Sequence, residues 1–153
     1  AGSYSVGHAV AGSMYLTYQG QQMSPWDALA ASGVNKVFIL LGMNDIGLYG
    51  VDKTIENWGI LIGKIRESCP DIQIYIQSGT PIYHGGEKGK LTNANMNAYN
   101  VKLQAYLSSP IPVTVEGLCV FDKRAILFGS EGSAKVFSSD NGPIDCRLFI
   151  YEP

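Results

Sequence analysis

The sequence predicts an α/β protein, a three-layer α/β/α sandwich built on a mainly parallel sheet. Three observations carry this expectation. Val37–Leu41 is an unbroken β-branched and apolar run, the pattern of a strand buried on both faces. Ile72, Ile74 and Ile76 alternate with Gln73, Tyr75 and Gln77, the period of two that marks a strand. Helical patterns stand before, between and after these two runs, and strands joined by helical crossovers pair in parallel.

Each element has its own local signal. The first helix is expected over 24–33, with Ser24 as N-cap, Pro25 at the first helical position, Asp27 as the capping acid and Gly33 closing it. A second is expected over 52–68. Asp52 is its expected cap, and Ile55, Trp58, Ile62 and Ile65 form one apolar stripe that Pro70 terminates. A third is expected over 93–107, capped by Thr92 and burying Met96, Tyr99, Leu103 and Tyr106. Val113–Phe121 reads as a third strand, interrupted at Glu116-Gly117. Val6, His8 and Val10 alternate as a strand would, with His8 buried or paired. Ala134–Phe137 and Arg147–Tyr151 are strand-like pieces in an unplaced tail.

Composition narrows the function classes. The 153 residues carry a formal charge of -2, are 46% hydrophobic and only 16% charged. One domain over 1–153 is expected, and disorder and coiled coil are excluded. The acidic balance argues against a nucleic-acid partner, which would bring a basic face. No apolar run approaches a membrane span, and no signal peptide is visible, so the chain reads as cytoplasmic or as secreted with its leader removed. Cys69, Cys119 and Cys146 form no Cys-x-x-Cys pair, and with only two histidines the chain offers no metal-ligand cluster. They read as free thiols. No phosphate-cradling or dinucleotide motif is present, so no cofactor is expected.

In an open parallel sheet, ligands bind beyond the carboxyl ends of the strands. Two loops leave those ends: Gly42-Met43-Asn44-Asp45 and Ser78-Gly79-Thr80-Pro81. Gly42 permits a tight turn, Asn44 projects a carboxamide that can hold a developing oxyanion, and Asp45 can tie the loop down. Thr80, Tyr83 and His84 stand on the second loop as candidate substrate contacts. Tyr15, Tyr18 and Tyr49 lie near other loops that could line a sugar or acyl cleft. Ser3, Ser5 and Ser13 read as turn or cap hydroxyls.

The run Val-Phe-Ile-Leu-Leu-Gly-Met-Asn-Asp resembles the third conserved block of SGNH hydrolases, also called GDSL esterases and lipases. Ile-Tyr-Ile-Gln-Ser-Gly-Thr-Pro-Ile-Tyr and the Asn-rich helix start at Asn93–Asn97 are similar to the same family. The resemblance covers about residues 5–107, and 117–153 are atypical. It implies a flavodoxin-like sandwich that hydrolyses esters, thioesters or acyl groups on sugars. It also implies Asn44 as an oxyanion-hole donor and a glycine backbone N–H as another, with Gly12 the candidate and Gly7 and Gly20 behind it. The family's Gly-Asp-Ser nucleophile block and Asp-x-x-His base block occur nowhere in the chain. The expected fold is therefore an incomplete version of the family's. The expected function is an ester hydrolase by resemblance, inactive or weak as this chain. The alternatives are a binding module for carbohydrate or acyl ligands and, on fold analogy alone, an electron-transfer domain. An incomplete sheet would leave an open edge beside Val37–Leu41, which predicts self-association or marginal stability unless residues 1–12 or the C-terminal strands fill the gap.

Overall fold

A computed structural model describes residues 4–13, 16–83, 85–108, 117–119, 126–128 and 134–136, the last three segments by backbone alone. The chain divides into two compact units, Ala1–Val120 and Phe121–Pro153.

The first unit runs α1 (Val6–Val10), β1 (Leu16–Tyr18), β2 (Gln21–Met23), α2 (Pro25–Ser32), β3 (Lys36–Ile39), α3 (Met43–Tyr49), α4 (Val51–Ser68), β4 (Gln73–Gln77), α5 (Asn93–Leu107) and β5 (Gly117–Cys119). The fold is mixed α/β with a parallel sheet of order β3-β4-β5. Lys36 stands opposite Gln73 and Ile39 opposite Ile76, and Tyr75 stands opposite Gly117. β1 and β2 form a separate antiparallel hairpin. Its turn holds Gln19 at φ 49° and Gly20 at φ 80°. Two successive positive φ values make a primed turn, which matches the twist of the strands it joins. In the second unit β6 (Ile126–Phe128) pairs antiparallel with β7 (Ala134–Val136). The expected strand at 134–137 thus appears. The piece at 147–151, residue 137, and 113–116 and 120–121 of the third strand lie outside the described residues.

The long helices follow their sequence signals. Ser24 Oγ accepts from Asp27 N, and Gly33 closes α2 in the left-handed region at φ 64°. Thr92 Oγ1 accepts from Asn95 N at the start of α5. α4 departs in detail: Gly50 stands at its N-cap, and Asp52 lies in the first turn, where it pairs with Lys102 instead of capping. An acid there still favours the helix through its dipole. Leu61 joins the buried stripe, whereas Ile55 is half-buried.

Two expectations fail. Residues 6–10 are helix, not strand: Val6 and Ala9 are the buried pair, spaced three apart as on one helix face. Val37–Leu41 is not buried on both faces. Phe38 is 59% exposed and Leu40 51%, while Val37 and Ile39 are half-buried. β3 is an edge strand among the described residues, and no described helix covers that face. The core lies on the other face, where Ile72, Ile74 and Ile76 meet Trp58, Leu61 and Ile65 of α4 and Met96, Tyr99 and Leu103 of α5. The sandwich is thus incomplete among the described residues. None of their helices is long and apolar enough to cross a membrane.

Candidate active site

Residues 42–45, expected as a loop, open a helix. Gly42 precedes α3 at φ 119°, so the chain turns off β3 directly into its first turn. A side chain at Gly42 would be strained by that φ, and its Cβ would fall where the Tyr99 hydroxyl lies. Asn44 and Asp45 therefore project from a helix start at the carboxyl end of β3.

Asp45 is fully buried. Its Oδ2 accepts from Val6 N and its Oδ1 from Gly7 N, each at 2.8 Å. These are the first amides of α1, which no helical carbonyl can serve. Ser5 Oγ serves the next, accepting from His8 N at 3.1 Å. The carboxylate thus caps a helix that lies 38 residues away in sequence, with charge-assisted bonds at the positive end of its dipole.

Asn44 is half-exposed. Its Nδ2 donates to Tyr4 O at 3.0 Å. A carboxamide has two N–H donors, and the second has no partner among the described residues. The group is held by one bond and presents the other N–H. Gly12 does not join it: its N–H donates to Ala9 O at the end of α1. Gly7 is the glycine that comes beside Asp45, with its own amide taken by that carboxylate. A Cβ on Gly7 would come within 2.7 Å of the Tyr49 ring, so glycine is what lets Tyr49 pack there.

Among the described residues there is one hydroxyl–imidazole pair. Ser5 Oγ lies 3.1 Å from His8 Nδ1, within the reach a nucleophile and its base require. Ser5 is completely buried and its hydroxyl is engaged as the α1 cap, so the hydroxyl holds a helix start, while His8 is half-buried. Sequence reasoning missed this partnership, although a Ser placed three residues before its amide donor is a helix-start signal.

The second loop is tied to α5 by two asparagines. Asn100 accepts from Gly79 N at 2.8 Å and donates to Gly79 O at 2.9 Å. Asn93 does the same to Ile82, at 2.8 and 3.1 Å. These reciprocal pairs substitute for a backbone ladder. Thr80 and Tyr83 remain exposed, Tyr83 by 78%; His84 lies outside the described residues. Asn100→Ala should cost about 1–2 kcal/mol, because both polar groups of Gly79 lose their partner. Thermal unfolding measures it, and an unchanged melt would mean the loop is held by packing alone.

Tyr99 joins the two halves. It accepts from Trp58 Nε1 at 2.8 Å and donates to Leu41 O at 2.9 Å. Burial pushes its phenol above the ordinary range, the Trp58 bond opposes this, and the Asp45 carboxylate adds to it. Cys69 is half-buried, and burial also pushes its thiol up.

The fold and this edge define a class: an open parallel α/β sheet whose loops carry polar groups beyond the strand ends. Within that class, a solved carbohydrate esterase family 3 structure from Talaromyces cellulolyticus is similar in fold. The TM-score is 0.53 at 13% identity, over 77% of this chain and 49% of that one. The chain thus spans about half the length of that esterase. No protein-family model and no curated protein matches the sequence.

Proposed function

We propose that this chain carries the scaffold of an SGNH-type ester hydrolase directed at acylated sugars, and that by itself it turns over esters weakly or not at all. The observation that carries the reading is Asn44. Its carboxamide is fixed at the end of β3 with one N–H engaged by Tyr4 O and the other unengaged, as a pre-oriented oxyanion donor would be. The carbohydrate esterase with a similar fold supports the substrate class. The missing turnover follows from the sequence, which holds neither Gly-Asp-Ser nor Asp-x-x-His. Of the described Ser5–His8 pair, the Ser5 hydroxyl is fully buried and engaged as a helix cap.

Intact-mass analysis after exposure to a fluorophosphonate should show no adduct on folded protein, and a short aryl ester should be hydrolysed at the background rate. An adduct, or turnover that Asn44→Ala lowers by about 10²–10³, would reveal a working nucleophile and overturn the inactive reading. A binding module for acylated sugar is the second reading. It is favoured by the exposed rings of Tyr83 and Tyr49 beside these loops. Calorimetric titration with peracetylated and free xylose tests it, and silence with both would end it.

A further inference from the structure

Tyr83 is the most exposed large apolar side chain among the described residues, at 78%. It is nonetheless held in one attitude. Gly86 N donates to Tyr83 O at 2.9 Å and Gly85 takes φ 83°, which closes a tight turn. A Cβ on Gly86 would stand 2.5 Å from Cε1 of the Tyr83 ring and 2.8 Å from both Cδ1 and Cζ. Two neighbours equally distant, and scarcely farther than the atom between them, put that position over the face of the ring and not beyond its edge. The ring therefore lies flat on the Gly86 backbone, where any larger residue would displace it. At this exposure its other face is open to solvent. The turn is fastened on both sides. Asn93 holds Ile82 N and O just before it, and the Glu87 carboxylate accepts from Asn93 N just after it. The same segment lies against the helix that carries Asn44, since a Cβ on Gly47 of α3 would meet Leu91 Cβ at 3.7 Å.

We infer that the Tyr83 ring, seated on Gly86, is a stacking platform for one pyranose ring of a carbohydrate ligand. The open face of the phenol and the C–H face of a pyranose with equatorial hydroxyls are both flat and apolar. Stacking removes both from water and leaves the sugar hydroxyls hydrated around the rim. Because the ring is already fixed on the glycine, the ligand does not have to order it. A nucleobase fits less well. Its second face and its edge of donors and acceptors call for protein partners. The stacked rings among the described residues are Tyr4–His8 and Phe38–Tyr75, and neither pair brings a second ring to Tyr83. The geometry of the platform stands by itself; the choice of a sugar as its ligand rests on the acylated-sugar reading above.

The test titrates the full chain, carrying ring-labelled tyrosine, with xylohexaose, acetylated xylohexaose and adenosine, and follows the tyrosine ring signals by NMR. Tyr83→Phe identifies the Tyr83 signal. That signal should shift saturably with one or both sugars, and the sugar C–H protons should move upfield under the ring current. Tyr83→Ala, a change at an exposed turn, should melt with the parent and bind about tenfold more weakly. Tyr83→Phe keeps the ring and should bind as the parent does. Gly86→Ala pushes the ring off its seat and should weaken binding with the phenol still present. Sugar binding that survives Tyr83→Ala, or that shifts only other tyrosines, would overturn this inference and leave the acylated-sugar reading standing. A Tyr83 shift with adenosine and none with either sugar would assign the platform to a flat aromatic ligand and overturn both. Silence with all three would overturn the platform, while the Asn44 scaffold keeps its own test in ester turnover and the fluorophosphonate probe.

Discussion

Asp45→Ala is expected to lower the free energy of unfolding by about 3–5 kcal/mol, among the larger effects a single substitution produces. The carboxylate is fully buried and accepts from both Val6 N and Gly7 N. Removing it orphans two amides at the start of α1, one of them fully buried, and each unpaired donor costs about 1–3 kcal/mol. The helix has five residues, too few to hold in water without tertiary support. Asp45→Asn should recover part of the loss, since one oxygen still accepts while the amide nitrogen faces a donor. Urea unfolding by circular dichroism measures both. A midpoint for Asp45→Ala equal to that of the parent would show that α1 is held by packing, with the carboxylate incidental.

Tyr99→Phe should cost about 2–4 kcal/mol at neutral pH, because it strands the buried Trp58 N–H and the Leu41 carbonyl together. It should also change the pH profile. The phenol is raised, chiefly by burial. A group raised in the folded state contributes stability in full below its unfolded value, near 10, and loses it as pH rises toward the folded value. The parent protein should therefore weaken above about pH 10, and Tyr99→Phe should weaken less steeply. Some slope should remain, since burial also raises Tyr4. Melting temperatures from pH 8 to 11 decide this. Equal slopes in the two proteins would mean that Tyr99 does not sense its burial.

Where an element carries its own punctuation, the sequence read well. The caps of α2 and α5 are side chains within three residues of the amides they serve, and the alternation of β4 reports a face that is half-exposed and a face that is buried. α1 had a local signal in Ser5, whose hydroxyl accepts from His8 N, and the Val6-His8-Val10 alternation concealed it. The rest of its cap is a carboxylate from another helix, and α3 begins at a glycine with no side-chain cap. Neither of these has a local spacing to announce it. β3 misled for a related reason: an apolar run states what a strand prefers to meet, and here Phe38 and Leu40 meet no described helix. Of the site, Asn44 was legible from its place after the Val37–Leu41 run as a carboxamide at the sheet edge, but its anchor on Tyr4 O lies 40 residues away and was not. Gly12 was chosen on spacing, and its amide turned out to be committed to Ala9 O.

The Asp45 clamp also couples two parts of the chain in time. α1 has no cap of its own for Val6 and Gly7, so it cannot close before the first turn of α3 is in place. The fraying of one helix start becomes the opening of the other. The Asn44 carboxamide, anchored on Tyr4 O one residue before that cap, loses its orientation in the same step. The site edge and α1 thus form one cooperative unit, present or absent together, and the Asn44 donor persists only as long as that unit stays closed.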